Sequence, residues 1–106
     1  MKNNDSKILD QIKKIITEQE PNAKIYLYGS RSRGTAKSSS DWDLLILLNK
    51  DKISPEDEQK ITYPLYDLEF DTGEVISPMI YSEKEWNTKH KLTPFFQNVM
   101  REGRLL

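Results

Sequence analysis

The segment "WDLLILL", Trp42 to Leu48, constrains the fold more than any other stretch of the chain. After Asp43 every residue is apolar, so both faces of an extended segment would be apolar. Such a strand is stable only in the interior of a sheet that is covered on both sides. The rest of the chain must therefore supply flanking strands and covering helices. With 106 residues, 36% of them hydrophobic and 31% charged, it can do so only with a thin core and a heavily charged surface. One domain over residues 1–106 is the expectation from length.

The flanking patterns are compatible with this demand. Ile8, Leu9, Ile12, Ile15 and Ile16 recur at helical spacing; Asp5 or Ser6 is expected to cap that helix and Pro21-Asn22 to end it. "KIYLYG" reads as a strand stopped by Gly29. Ser30 to Lys37 is short and basic, one or two helical turns, and Ser38 to Ser40 is loop. Ser54-Pro55-Glu56-Asp57 places a cap, a proline at the first helical position and acids in the first turn, which starts a helix. Pro64 is expected to kink or split it, and Gly73 to close it. "EVISPMIYS" is a third strand, and Pro78 points to an edge or a bulge. Ser82 to Glu85 spells a capping box for a short helix carrying Trp86. Thr93-Pro94 opens a last helix with Phe95, Phe96, Val99 and Met100, stopped by Gly103. The order α-β-α-β-α-β-α-α describes an α/β (α+β mixed) fold, a small sheet with helices packed on it.

Several function classes lose support at this stage. The formal net charge of −1 gives no electrostatic footprint for duplex nucleic acid. Without cysteine there is no disulfide framework and no thiolate metal site. The longest apolar run is too short to span a bilayer, and "MKNNDSKILD" lacks the apolar core of a signal peptide. A cytoplasmic protein with no membrane association is expected.

The chemistry is concentrated at the mouth of the apolar strand. Asp41 and Asp43 are two residues apart, so in a strand they point the same way. Carboxylates that close repel, and one binds a proton unless a cation lies between them. All-oxygen ligands suit Mg²⁺ or Mn²⁺. The bland alternative is a turn cap and a solvated strand end, and a bare D-x-D alone would favour it. Gly29-Ser30 follows a strand and opens a basic turn, a geometry that presents backbone N–H groups to an anion. Arg31, Arg33 and Lys37 would neutralise further negative charge. A Walker A loop is absent. Here too the bland reading is an ordinary strand-to-helix turn. Together the two features are much stronger, because ten residues separate Gly29-Ser30 from Asp41-Trp42-Asp43, and two strand ends can then meet around one metal–triphosphate.

"GSRSRGTAKSSSDWDLLILL" resembles the signature of the nucleotidyltransferase superfamily that includes DNA polymerase beta, and its spacing is similar to that of the minimal nucleotidyltransferase (MNT) branch. The resemblance implies a small mixed β-sheet flanked by helices. It implies that Gly29 and Ser30 hold the β- and γ-phosphates of a nucleoside triphosphate, that Asp41 and Asp43 are catalytic metal ligands, and that Arg33 and Gly34 shape the loop and touch phosphate. It further implies Mg²⁺ or Mn²⁺, ATP as substrate, and two-metal in-line attack on the α-phosphate. The acceptor it implies is a protein partner, a HEPN-type helical toxin to which AMP is added. In the alternative, a catalytically weak or inactive module binds nucleotide and neutralises its partner by contact. Catalytic members usually carry a third carboxylate on a later strand. The middle of "EVISPMIYS" has no acid, and Glu74 at its start is the nearest candidate.

The remaining conspicuous residues have plainer readings. His90 is expected to be solvated and Trp42 to be core. Trp86, Phe95 and Phe96 are expected to pack, and with Leu105-Leu106 part of that C-terminal segment is expected to offer a partner surface.

Overall fold

The computed structural model describes residues 3–34 and 40–106. The chain runs α1 (Asn3–Gln19), β1 (Lys24–Tyr28), α2 (Ser30–Arg33), β2 (Trp42–Leu48), α3 (Pro55–Thr72), β3 (Ile76–Ser82), α4 (Glu83–Thr88), α5 (Pro94–Glu102) and β4 (Arg104–Leu105). The strands form one mixed sheet in the order β3-β2-β1-β4. β1 pairs antiparallel with both β2 and β4, whereas β2 and β3 run parallel. β2 is therefore interior, as its composition requires, and Pro78 lies on the edge strand β3, a position that tolerates a missing N–H.

Each face of the sheet is covered. On one side Ile25, Leu27, Trp42, Leu44, Ile46, Leu48 and Ile76 meet Ile8, Ile12 and Ile16 of α1 and Ile61, Leu65 and Leu68 of α3. On the other, Leu45 and Leu47 meet Trp86 of α4 and Val99 of α5, with Tyr26, Tyr28, Tyr81, Phe95 and Phe96 around them. Alternation along β2 assigns its residues to the two layers: Trp42 faces α1 and α3, and Asp43 faces α4 and α5.

Most expected boundaries hold, and the departures have physical reasons. α1 starts at Asn3, so Asp5 and Ser6 lie within its first turns and do not cap it; Asp5 there complements the helix dipole. Of the expected kink or split at Pro64, the split does not occur; α3 runs on to its cap at Gly73. The carbonyl that Pro64 cannot serve belongs to Lys60, an exposed residue. Ser54 and Asp57 form the full reciprocal capping box at its start. Ser82 caps α4 by accepting from the Glu85 N–H. β4 is an additional strand, two residues long, beyond the expected order. The second turn through Lys37 and the loop residues Ser38 and Ser39 lie outside the described residues.

The C-terminal aromatics are packing residues. Trp86 is fully buried, stacks on Tyr81 at 5.7 Å and meets Phe95 edge-on at 5.6 Å. Phe95 also meets Tyr28 edge-on at 5.4 Å. The expected partner surface on this segment is thereby largely consumed in a second core layer, leaving Leu92, Met100 and Leu105 as the exposed large apolar side chains there. His90 is not simply solvated. It is half-buried, with its ring 4.6 Å from Tyr81 and 6.0 Å from Trp86. Among the described residues no helix is long and apolar enough to cross a membrane.

Candidate functional site

The C-terminal end of β1 and the N-terminal end of β2 meet because the two strands are antiparallel and Tyr28 is paired with Asp43. That register sets Gly29, the residue after β1, against the Asp43 side chain. A Cβ built on Gly29 would overlap Oδ2 of Asp43 and lie 3.3 Å from its Cγ. Gly29 also has φ 75°, a conformation that side-chain-bearing residues rarely adopt. Its carbonyl accepts from the Ser32 and Arg33 N–H groups and from the Ser32 hydroxyl, which closes the single turn of α2 starting at Ser30. Gly34 ends that turn in the left-handed conformation, donating its N–H to the Ser30 carbonyl.

The expected grouping is present. Asp43 is half-buried and Asp41 is exposed just before β2. The Asp43 carboxyl is held above the ordinary carboxylate range, first by burial and then by the charge of Asp41; Arg33 pulls it back down. Asp41, Asp43 and Arg33 thus form one electrostatic group, with Gly29 against its middle member. Tyr28, the strand partner of Asp43, is pushed up to about 12 by burial, then by the Asp43 charge and Tyr81, so its phenol stays protonated at neutral pH. Arg33 Nη1 donates to Glu102 Oε2 at 3.0 Å, tying α2 to the end of α5. Two oxygen-donor carboxylates, one of them raised by burial and by its neighbour's charge, lie beside a backbone that a Cβ would obstruct. That donor set fits a divalent cation and the phosphates it accompanies.

Two of the residues singled out from the sequence are placed elsewhere. Arg31, grouped with the phosphate-neutralising cations, is 8% exposed and turned to the opposite face. Its guanidinium carbon lies 3.9 Å from the centroid of the Trp42 ring. Its Nε and Nη2 donate to the Ser40 carbonyl at 3.2 and 2.9 Å, and Nη1 reaches Asp5 Oδ1 at 3.4 Å. Glu74, the nearest candidate for a third carboxylate, belongs to the same cluster. It accepts from Trp42 Nε1 at 3.0 Å and lies 3.6 Å from Arg31. On β3 the neighbour of Asp43 is Ser77. Among the described residues no group of three His, Asp or Glu side chains is placed to hold a metal. The role of Arg31 as a clamp on Ser40, the residue before Asp41, was not readable from sequence. Its only signal was Trp42, an aromatic on the reverse side of the D-x-D.

A mixed sheet with helices on both faces, carrying a Gly-Ser turn against a D-x-D strand start, is the nucleotidyltransferase fold. A family model described as a nucleotidyltransferase domain matches residues 9–95, and the chain belongs to that family. No curated protein matches it by sequence. Among solved structures it is similar to a chain of a toxin–antitoxin complex with AMP-PNP, at a TM-score of 0.64 and 22% identity, covering 91% of this chain and 69% of that one. A tyrosine-to-alanine variant of the toxin–antitoxin pair MntA–HpeT matches at 0.63 and 22% identity, covering 92% and 70%. A variant of that pair with two aspartates changed to glutamate matches at 0.63 and 20%, covering 91% and 69%.

Proposed function

We propose that the chain transfers a nucleoside monophosphate, AMP from ATP, to a protein partner, as the antitoxin of a HEPN/MNT-type pair acting in the cytoplasm as one domain over residues 1–106. The observation that carries the reading is the packing of Gly29 against Asp43, which brings the Gly29-Ser30 turn to one member of the Asp41–Asp43 pair. In this reading the Gly29-Ser30 turn and Arg33 bind the terminal phosphates, Gly34 shapes the loop, and Asp41 and Asp43 hold Mg²⁺ or Mn²⁺. A divalent cation bound there supplies charge neutralisation and Lewis-acid polarisation of the phosphate. Arg33 adds a fork of donors that pairs with phosphate oxygens, in exchange with Glu102. An incoming hydroxyl attacks the α-phosphate as the α–β phosphoanhydride bond breaks and pyrophosphate leaves; placing the α-phosphate in line for this falls to the turn and the carboxylates. The toxin–antitoxin complexes among the similar structures support a protein partner.

Ser77 beside Asp43 favours a second reading, in which nucleotide binds but transfer is slow and the partner is neutralised by contact. Calorimetric titration with Mg-ATP tests the shared part. Binding is expected for the wild type and not for Asp41→Asn/Asp43→Asn; equal affinities overturn the site assignment. Intact mass of a co-expressed toxin then separates the readings. A gain of nucleotide monophosphate units, lost together with protection in the double variant, identifies transfer. Protection by the double variant with no mass change identifies neutralisation by contact.

A further inference from the structure

The outward face of α3 carries aromatic side chains that no core needs. Ile61, Leu65 and Leu68 are buried and turn toward the sheet. Tyr63, Tyr66 and Phe70, spaced i, i+3, i+7, lie on the opposite side of the helix and are 58%, 51% and 90% exposed. Tyr63 and Tyr66 lean on one another with ring centroids 6.4 Å apart. Val75, 48% exposed just past the helix end, stands beyond the same end. Tyr63 and Tyr66 thus form a paired aromatic surface, with Phe70 one turn further along the same helix face.

Charge selects the occupant. α3 carries Glu56, Asp57, Glu58, Asp67, Glu69 and Asp71 against the single base Lys60. Asp67 and Asp71 are exposed and interleave with the stripe. A second copy laid on this face would set acid against acid, and nucleic acid or an anionic lipid surface would be repelled in the same way. A basic surface is attracted. The ridge of side chains at i, i+3, i+7 is also the pattern by which one helix seats on another.

We propose that the Tyr63–Tyr66–Phe70 face of α3 docks a basic amphipathic helix of a partner protein. The aromatic rings take its apolar stripe, and Asp67 and Asp71 pair with its Lys and Arg side chains. The segment after the helix reaches the same end of the sheet as the candidate site, on the opposite face from Asp43: the Trp42 backbone N–H donates to the Val75 carbonyl at 2.8 Å. A partner seated on α3 is therefore held at the same end of the sheet as Asp41 and Asp43. The inference rests on the reading above only in requiring a protein partner; docking through α3 needs neither nucleotide nor the two aspartates.

The test titrates the isotope-labelled full chain with a leucine–lysine peptide patterned as an amphipathic helix, at physiological ionic strength. A leucine–glutamate peptide of the same pattern serves as control. The lysine peptide is expected to bind with backbone shifts confined to α3 and Val75. Tyr63→Ser/Tyr66→Ser/Phe70→Ser, which keeps every charge, is expected to weaken it at least about tenfold, as is Asp67→Lys/Asp71→Lys. Both sets of side chains point outward, so melting curves should show the variants folded. Asp41→Asn/Asp43→Asn should bind the peptide like the wild type. Shifts located elsewhere, equal binding of the two peptides, or an unchanged affinity in the serine variant overturns the proposal. So does sedimentation that shows wild type dimerising and the serine variant monomeric, because the stripe is then a self-interface. If the peptide fails to bind while Mg-ATP binding persists, the docking face is refuted and the nucleotide site stands.

Discussion

The Asp43 carboxyl fills the space where a side chain on Gly29 would begin. Gly29 therefore meets two independent demands: a φ of 75° and the absence of a Cβ facing Oδ2. Strain in the left-handed region costs on the order of 1–3 kcal/mol, and the overlap adds to it. Gly29→Ala should lower the stability measured by urea unfolding by at least that amount. Truncating the other partner removes only the overlap. In a double-mutant cycle, Gly29→Ala on an Asp43→Ala background should therefore cost less than on the wild type. Strict additivity would show that the two residues do not touch.

A second consequence concerns the Asp43 charge. Burial and Asp41 raise the pKa of Asp43 in the folded chain above its ordinary value of 3.8. The protonated form is thus favoured by folding. That contribution is fully present below the unfolded-state pKa and is lost as pH rises through the raised folded-state pKa. Asp43→Asn escapes the loss. At neutral pH and without divalent cations it should melt at or above the wild type, and the difference should shrink as pH falls below about 4. Arg33→Ala should enlarge the neutral-pH difference, because Arg33 is what opposes the rise. A variant less stable than the wild type at neutral pH would contradict the assignment of the repulsion.

Much of this arrangement was legible in the sequence, for identifiable reasons. Trp42–Leu48 could be placed as an interior strand because no other position tolerates two apolar faces, and the D-x-D at its start followed from period-two alternation. Caps at Ser54, Ser82 and Thr93 are local chemistry and were readable as such. Besides the Arg31 clamp, three features were not. β4 is two residues long, too short to show any period, and forms because β1 has a free edge. The register that sets Ser77 beside Asp43 relates distant segments and is not encoded in composition, although the lack of an acid in the middle of that strand was readable. The partner surface was expected on the C-terminal aromatics because apolar side chains were counted without knowing the opposite layer. Tyr28 and Tyr81 absorb Phe95 and Trp86, while the stripe of α3 is left outward.

Arg31 gives a third test. It sits between the Trp42 ring, the Ser40 carbonyl, Asp5 and Glu74, so its removal takes a shared donor away from two carboxylates and a carbonyl in a nearly buried cluster. Breaking such a cluster from one side costs about 3–5 kcal/mol, less here because Asp5 and Glu74 retain some solvent contact. Arg31→Ala should therefore destabilise by roughly 2–4 kcal/mol and shift the emission of Trp42. Arg31→Lys should recover little of this, since an ammonium cannot fork to Ser40 while stacking on the indole. Full rescue by lysine would mean that charge alone matters there.

The last test adds what β3 lacks. Ser77 is the registered neighbour of Asp43 in the parallel β2–β3 pair, so the two side chains share a face. Ser77→Asp would place a further carboxylate beside one already raised by repulsion. Without divalent cations the variant should melt below the wild type at neutral pH, because the added charge is opposed by Asp43 and Asp41 and partnered by neither. Mg²⁺ or Mn²⁺ should reverse the order of the responses: the gain in melting temperature on adding the cation should be larger in Ser77→Asp than in the wild type, and should vanish when Asp41 and Asp43 are both asparagine. That comparison reads the cation directly and does not depend on turnover. Faster modification of a co-expressed toxin by Ser77→Asp would further support the proposed transfer and show that a third carboxylate limits it. A cation response identical to that of the wild type would mean that Ser77 does not face the Asp41–Asp43 pair, and the account of the site as one carboxylate short would fail with it.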